Sequence, residues 1–348
     1  MITSLIRSHL RNFEPYRSAR SLYQKGIFLD ANENPFGSVV SASADTDLNR
    51  YPDPYSLDLR KALGRFFGMS KKNIFVGNGS DEAIDLLVRL FVEVDEEIIV
   101  MEPTYGVYKV AAEIAGVAVR NCSLTSDFQV DIASLLSQIN PKTKMVFCCS
   151  PNNPTGTLMK LNDIERLCES FNGIIVVDEA YVEFSSQPSF IKKVVDFDNL
   201  VILRTFSKAW GLAGARVGYA IAHELIIEYL QRIKYPYNLN RVSSKLAIDA
   251  LGQYEKMMEF RTLILNEREK LARELTKLKF RVFPSEANFL LVYYPNASVI
   301  AKKLAESAGI IVRDFNSKPL LKDCLRISIG TPEQNELLIQ SLMKLIRL

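Results

Sequence analysis

Short apolar runs alternate with amphipathic helical patterns through the first two thirds of the chain. The strand-like runs lie at 74–76, 97–101, 117–121, 144–149, 174–177 and 201–203, and helical spacing separates most of them. This alternation predicts an α/β fold, a mostly parallel sheet with helices on both faces. Ligands of such sheets bind beyond the carboxyl ends of the strands, so the residues that directly follow each strand are the first candidates for a functional site.

The pattern changes after residue 219. Long helical runs come first, and strand-like runs at 281–283, 289–293, 309–313 and 324–329 then alternate with helices. We therefore predict three parts: an arm over 1–30, a large domain over 31–255 and a smaller α+β domain over 256–348.

Composition is that of an ordinary soluble globular protein. The 348 residues include 24% charged residues with a net charge of +3, and this balance gives no reason to expect a nucleic-acid partner. No apolar run suits a signal peptide or a membrane span, so we expect a cytoplasmic protein. Five cysteines without a C-x-x-C pair and two histidines offer no metal-ligand spacing, so we expect no metal site.

A single lysine, Lys208, follows the strand-like run at 201–203 in a loop that also holds Thr205 and Ser207. Most loop lysines are solvated cations. Here the neighbouring hydroxyls and a second cation, Arg216, suit a phosphorylated carbonyl compound, because the amine can form an imine while the other groups hold the phosphate. Pyridoxal 5'-phosphate (PLP) is such a compound.

A second candidate anion site lies where the strand-like run at 74–76 leads into a glycine loop and a helix. Free amide N–H groups and the helix dipole converge at residues 79–81, where a phosphate is the usual guest. Glycine, serine and aspartate also serve as ordinary helix caps, and the loop alone does not separate these two interpretations.

Nine motifs in order along the chain resemble those of the fold type I PLP-dependent aminotransferases and, within them, the histidinol-phosphate aminotransferase family. The motifs are Pro15-Tyr-Arg-Ser-Ala-Arg20, Asn32-Glu-Asn-Pro35, Arg50-Tyr-Pro52, Gly77-Asn-Gly-Ser-Asp-Glu82, Pro103-Thr-Tyr-Gly106, Ser150-Pro-Asn-Asn-Pro-Thr-Gly156, Asp178-Glu-Ala-Tyr181, Ser207-Lys208 with Gly211-Leu-Ala-Gly-Ala-Arg216, and Leu325-Arg-Ile-Ser-Ile-Gly330. The resemblance covers nearly the whole chain. It implies a mostly parallel seven-stranded sheet in the large domain and an N-terminal arm that packs with the small domain.

The resemblance also implies a set of cofactor-binding residues. Lys208 is the expected catalytic residue: it holds PLP and later moves the proton of the substrate α-carbon. Asp178 is expected to raise the pKa of the ring nitrogen and keep it protonated. The remaining expected cofactor contacts are Asn153 and Tyr181 at the ring hydroxyl oxygen, Tyr105 on the ring face, and Gly79, Ser80, Asp81, Thr205, Ser207, Arg216 and Tyr51 at the phosphate. Tyr51 is expected to come from the partner subunit of a homodimer.

Each of these residue types also has an ordinary structural role. Asp178 suits a turn or helix cap, Asn153 suits a turn before Pro154, and Tyr181 and Tyr51 suit core packing.

The substrate side of the site is expected to bind an anion. By resemblance, Arg326 holds a substrate carboxylate in most members of the fold type, and histidinol phosphate carries a phosphate ester instead. A dianion favours a second cation, for which Arg313 is the candidate; the resemblance adds Tyr16, Asn34 and Asn288. The one departure from the family pattern is Trp210, where phenylalanine is usual.

The expected reaction is transfer of an amino group between L-histidinol phosphate and 2-oxoglutarate, with imidazole acetol phosphate and L-glutamate as the other pair. An aromatic aminotransferase or a threonine-phosphate decarboxylase shares the same motifs and stays open. A ligand sensor fused to a DNA-binding head is disfavoured because no helix-turn-helix pattern precedes residue 30. A nucleotide-binding enzyme is disfavoured because the glycine loop lacks both G-x-G-x-x-G and a P-loop lysine.

Overall fold

The computed structural model describes residues 26–30, 32–37 and 51–346. The strands are β1 (Ile27–Leu29), β2 (Ile74–Asn78), β3 (Glu97–Glu102), β4 (Ala118–Ser123), β5 (Thr143–Cys149), β6 (Ile174–Asp178), β7 (Leu200–Thr205), β8 (Val217–Ala222), β9 (Arg281–Val282), β10 (Phe289–Tyr293), β11 (Ile310–Asp314) and β12 (Cys324–Ser328). The α-helices are α1 (Leu57–Phe67), α2 (Gly79–Phe91), α3 (Val107–Ala115), α4 (Ile132–Gln138), α5 (Leu161–Ser170), α6 (Glu224–Ile233), α7 (Arg241–Leu251), α8 (Tyr254–Lys277), α9 (Ala297–Ala308) and α10 (Pro332–Ile346).

Seven strands form the large sheet, in the order β2-β8-β7-β6-β5-β3-β4. Strand β8 runs antiparallel to both of its neighbours, and the other pairs are parallel. The mostly parallel seven-stranded sheet predicted from the sequence is therefore confirmed. The parallel strands β5, β6 and β7 end side by side, so the residues that follow them meet at one edge of the sheet.

Both faces of this sheet are buried. In β6, Ile175 and Val177 belong to one hydrophobic cluster, whereas Val176 between them belongs to the cluster on the opposite face. Successive side chains of a strand point to opposite faces, and helices cover both. This double burial explains why the strands read as continuous apolar runs.

A smaller sheet has the order β1-β11-β12-β10-β9. Strand β1 pairs parallel with β11, Ile27 opposite Ile310, and the other pairs are antiparallel. Only the end of the predicted arm is seen here, since residues 1–25 lie outside the described residues. The predicted domain division at 255/256 falls at the start of α8, whose buried Ile264, Leu271 and Leu275 belong to the core.

Among the described residues, no helix is both long enough and apolar enough to cross a membrane.

Candidate active site

A cavity of about 210 Å³ lies at the carboxyl ends of β5, β6 and β7, with the small sheet on its other side. Its lining residues are Asp30, Asn32, Gly79, Ser80, Asp81, Tyr105, Cys149, Asn153, Asp178, Ala180, Tyr181, Thr205, Ser207, Lys208, Arg216, Arg313 and Arg326. The cavity thus brings together most of the residues singled out in the sequence, from segments far apart along the chain.

Asp178 is the last residue of β6 and is buried beside the cavity. Its Oδ2 accepts a hydrogen bond of 2.6 Å from the Tyr108 hydroxyl, and its Oδ1 accepts one of 3.0 Å from the Ala180 amide. Burial raises the pKa of this carboxyl to about 6, and the Tyr108 hydrogen bond opposes the rise. A buried carboxylate of this kind is stabilised by a cationic partner, which a protonated ring nitrogen would supply.

Lys208 lines the same cavity. Burial, together with the nearby Arg326 charge, lowers the pKa of its amine to about 8. Its Nζ lies 5.5 Å from the centroid of the Tyr181 ring. Near neutral pH a useful fraction of this amine is therefore uncharged, as a nucleophile requires.

Tyr181 and Asn153 each have one side-chain oxygen already engaged. The Tyr181 oxygen accepts a hydrogen bond of 3.0 Å from Asn32 Nδ2, and Asn153 Oδ1 accepts one from the Arg326 guanidinium. The groups left to donate to a ligand are the Tyr181 hydroxyl hydrogen and the Asn153 amide NH2. Two donors suit the ring hydroxyl oxygen of PLP.

Helix α2 begins at the cavity with Gly79, whose φ of +74° is one that glycine adopts without strain. A Cβ on this residue would lie 2.7 Å from the Arg216 guanidinium. The Gly79 N–H donates to the Arg216 carbonyl at 2.8 Å and is therefore already used. The N–H groups of Ser80 and Asp81 remain as donors for an anion. The first turn of α2 therefore presents two of the three predicted amides.

The cationic and hydroxyl groups of the expected phosphate site lie next to this helix start. The half-exposed Arg216 donates to Asp81 Oδ2 at 3.1 Å, and the Tyr105 hydroxyl donates to Asp81 Oδ1 at 3.0 Å. The Thr205 hydroxyl donates to Ser207 Oγ at 2.9 Å and accepts from the Ser207 amide at 3.0 Å. Amides, hydroxyls and a guanidinium around one end of the cavity are the donor set that a phosphate dianion requires, so the residues present fit PLP.

Two arginines face the cavity from the small sheet. Arg313 on β11 and Arg326 on β12 are directly opposite each other in the antiparallel pair. Arg326 is buried and donates to the Asp30 carbonyl as well as to Asn153, whereas Arg313 is half-buried. A pair of guanidinium groups on neighbouring strands can bind a doubly charged anion.

Three further predicted site residues, Asn34, Asn288 and Tyr51, do not line this cavity. Asn34 donates to the Ala209 carbonyl at 3.1 Å and Asn288 donates to the Asn32 carbonyl at 2.9 Å, and neither is among the lining residues. Tyr51 is 79% exposed and stacks on Tyr237 outside the cavity of its own chain. Tyr16 lies outside the described residues.

Trp210 is buried against aromatic neighbours, including Phe206 and Tyr254, and is not among the residues that line this cavity.

Sequence reasoning missed Tyr108 and Asn32. Tyr108 follows Tyr105 by three residues and lies in the first turn of α3, and the two rings meet edge to face with centroids 5.6 Å apart. Asn32 stands in the same motif as Asn34, and only tertiary structure shows that Asn32 is the one that lines the cavity.

The family model of the class I and II aminotransferases matches residues 24–342. The histidinol-phosphate aminotransferase of Cytophaga hutchinsonii is 40% identical to this chain over 346 residues, 98% of each protein. That of Bacteroides fragilis is 41% identical over 349 residues, 99% of each. Among solved structures, the histidinol-phosphate aminotransferase of Sinorhizobium meliloti in complex with pyridoxal-5'-phosphate superposes with a TM-score of 0.91 at 27% identity, covering 99% of this chain and 98% of that one.

Proposed function

The chain belongs to the class I and II aminotransferases and, within them, to the histidinol-phosphate aminotransferases, and from this premise we propose that it transfers an amino group between L-histidinol phosphate and 2-oxoglutarate. The substrates of the reverse reaction are imidazole acetol phosphate and L-glutamate. The reaction belongs to histidine biosynthesis. The observation that carries the substrate assignment is the pair Arg313 and Arg326, which faces the cavity that also holds Lys208 and Asp178.

PLP, when bound, supplies a protonated pyridine ring that withdraws electrons from the substrate α-carbon. Asp178 holds the proton on the ring nitrogen, because its buried carboxylate and the ring cation stabilise each other. Tyr181 and Asn153 would donate to the ring hydroxyl oxygen, and Tyr105 would pack on the cofactor ring. The groups that would hold the phosphate are Ser80, Asp81, Thr205, Ser207 and Arg216.

Lys208 has two roles. Its amine, about half of which is uncharged at pH 8, would anchor the cofactor aldehyde. When free, the Lys208 amine would accept the proton of the substrate α-carbon, carry it as an ammonium and release it again within the same site.

The small sheet selects the substrate. Arg313 and Arg326 together bind the phosphate ester of histidinol phosphate, and Arg326 alone suffices for the α-carboxylate of glutamate in the other half-reaction. Tyr16 is proposed as a further phosphate ligand. Asn34 and Asn288 are proposed to act on the substrate indirectly, through the walls that they hold.

We also propose that the active unit is a cytoplasmic homodimer. Tyr51 is exposed, stacked on Tyr237 and outside its own cavity, as expected for a side chain that reaches the phosphate site of a second subunit. Exposed aromatic surface of this kind is typical of residues that become buried on association.

The substrate assignment is tested by assaying the purified protein with L-histidinol phosphate, L-phenylalanine and L-threonine phosphate, each with 2-oxoglutarate. Glutamate formation measures amino transfer, and CO2 release measures decarboxylation. We expect the highest kcat/KM for histidinol phosphate. A higher value for phenylalanine, or CO2 release from threonine phosphate, would reject the assignment.

Arg313→Ala isolates the phosphate contact. We expect kcat/KM for histidinol phosphate to fall roughly 10- to 100-fold, as for loss of a charge-assisted hydrogen bond, with little change for glutamate. Arg281→Ala, which removes an arginine packed over Phe283 in the same sheet, is the matched control. Equal losses for both substrates would contradict the role of Arg313.

A further inference from the structure

Asn32 is the centre of a buried hydrogen-bond chain that joins the small sheet to Tyr181. Its amide Nδ2 donates to the Tyr181 oxygen at 3.0 Å, and its Oδ1 accepts from the Ser328 hydroxyl at 2.8 Å. Asn32, Ser328 and Tyr181 are exposed by 1%, 2% and 4%. Water therefore does not compete for these hydrogen bonds, and their geometry is closely defined.

The contacts between Asn32 and Ser328 give this chain a direction. Ser328 Oγ accepts from the Asn32 N–H at 2.8 Å, and the Ser328 hydroxyl donates its one hydrogen to Asn32 Oδ1 at 2.8 Å. The amide oxygen of Asn32 then faces Ser328, and its NH2 group must face Tyr181. Since the Tyr181 oxygen accepts from this NH2, its own hydrogen is left to point into the cavity.

The backbone of Asn32 is held in place as well. Its φ of +55° is in the left-handed region, which asparagine tolerates better than most residues. The Asn32 carbonyl accepts from Asn288 Nδ2 at 2.9 Å, and the Asn288 carbonyl accepts from the Ile329 amide at 2.9 Å. Asn288 is fully buried. Ser328 on β12 and Asn288, next to the start of β10, thus fix the position of Asn32.

We propose that Asn32 and Ser328 are positioning residues that set Tyr181 as a hydrogen-bond donor toward the ring oxygen of the cofactor. The inference rests on the proposed function only in that PLP must bind at Lys208. Ser328 and Arg326 are two residues apart on β12 and so belong to the same face of the strand. One strand therefore presents an arginine to the substrate and, through Asn32, orients the tyrosine that acts on the cofactor.

Asn32→Asp tests the direction of the chain while changing little in volume. A carboxylate only accepts hydrogen bonds, so the Tyr181 hydroxyl would turn toward Asp at position 32 and away from the cofactor. Tyr181 would then no longer donate to the ring oxygen. The apparent pKa at which the visible absorption of bound PLP changes should therefore rise by about one pH unit. The readout is a spectrophotometric pH titration of the holoenzyme without substrate.

A double-mutant cycle separates this effect from the added negative charge. If the substitution acts through Tyr181, its effect should disappear in a Tyr181→Phe background. The same upward change in both backgrounds would mean that the charge acts directly and would overturn the proposal. Asn199→Asp, at a half-buried asparagine that donates to carbonyls near α5, is the matched control and should leave the titration unchanged.

Ser328→Ala is the second variant, for the case that Asn32→Asp does not fold. Loss of the hydroxyl removes the contact that fixes the Asn32 amide, and we expect a smaller rise in the same pKa. A wild-type titration curve from a Ser328→Ala holoenzyme would overturn the proposal. A wild-type protein that binds no PLP would overturn this inference and the proposed function together, whereas bound PLP with unchanged titration in both variants would overturn the inference alone.

Discussion

Two titratable groups that line the candidate site, Asp178 and Lys208, have pKa values shifted in directions that do not favour the stability of the cofactor-free fold. Asp178 has its carboxyl pKa raised by burial to about 6, and Lys208 has its amine pKa lowered by burial to about 8. Each shift disfavours the charged form of an isolated side chain. Such groups occur where a ligand supplies the missing partner, which is why they mark a functional site better than their residue types do.

Asp178→Asn should make the cofactor-free protein more stable at alkaline pH. The folded-state pKa of Asp178 lies above its ordinary value of 3.8, so the ionised carboxylate destabilises the fold above pH 6, by about 3 kcal/mol at most. Protonation of the folded state removes this penalty as the pH falls toward 4. Urea unfolding at pH 8 should therefore show a gain of about 1–3 kcal/mol for the variant, shrinking with acidity. A variant less stable than wild type at pH 8 would contradict the argument.

The rate at which PLP reconstitutes the cofactor-free protein should rise with pH through about 8, the pKa of Lys208. Only the uncharged amine attacks the aldehyde, so the rate should increase roughly tenfold between pH 7 and pH 9 and then level off. Stopped-flow absorbance measures it. A rate that is constant over this range would mean that the amine is already uncharged at pH 7 or does not limit the reaction.

At the scale of single residues, the sequence predicted which polar residues follow the strands. The structure brings most of these residues to one cavity. It could not predict which partner each side chain takes. That Asn153 Oδ1 is held by Arg326, or that Asp178 accepts from Tyr108, depends on contacts between residues 70 or more positions apart.

At the scale of elements, the start of α2 depends on its close approach to β8. A Cβ at Gly218 would lie 2.1 Å from the Ser80 amide nitrogen and 2.2 Å from the Gly79 carbonyl carbon, both backbone atoms that cannot move aside cheaply. Only glycine permits this approach. The two amides that face the phosphate site are therefore positioned by a residue that does not line the cavity.

Gly218→Ala should separate α2 from β8, lower stability by about 2 kcal/mol or more, and weaken PLP binding. Gly214→Ala is the control, because a Cβ there meets nothing within 4 Å; it should stay within about 0.5 kcal/mol of wild type. Urea unfolding and PLP titration of both variants measure the two effects. Wild-type PLP affinity in Gly218→Ala would show that the helix start does not hold the phosphate.

The alternating pattern predicted nearly every strand and helix, because buried strands and half-buried helices space their apolar residues differently along the sequence. Strand β8 is the exception. It follows the lysine loop directly, and its Gly218 and Ala220 reduce the apolar signal, so the chain from 217 to 222 reads as a continuation of the loop. Its antiparallel pairing with β2 and β7 is a tertiary property that no local pattern reports.

At the scale of the whole molecule, the cavity is formed between the large sheet and the small sheet, and both contribute lining residues. Asp178 ends β6 of the large sheet and Lys208 lies in the loop after β7, whereas Arg313 and Arg326 come from the small sheet. The chemistry and the substrate selection are thus carried by separate parts of the chain. The contact between the two sheets through the Asn32 segment is a tertiary property that no local sequence pattern indicates.

Hybrid dimers test whether Tyr51 acts across the subunit interface. Lys208→Ala subunits should be inactive, and Tyr51→Phe subunits should bind PLP about tenfold more weakly, as for loss of a hydrogen bond to a charged group. A mixed dimer of the two contains one site with an intact Lys208 and the partner's intact Tyr51. That site should bind PLP with wild-type affinity. If its affinity equals that of the Tyr51→Phe homodimer, the tyrosine serves its own chain.

The attachment of PLP to Lys208 is tested most directly by reducing the PLP-loaded protein with borohydride and mapping the modified peptide by mass spectrometry. The account predicts a single phosphopyridoxyl group on Lys208 and none in Lys208→Ala. Modification of another lysine, or a trapped adduct that persists in the variant, would contradict it.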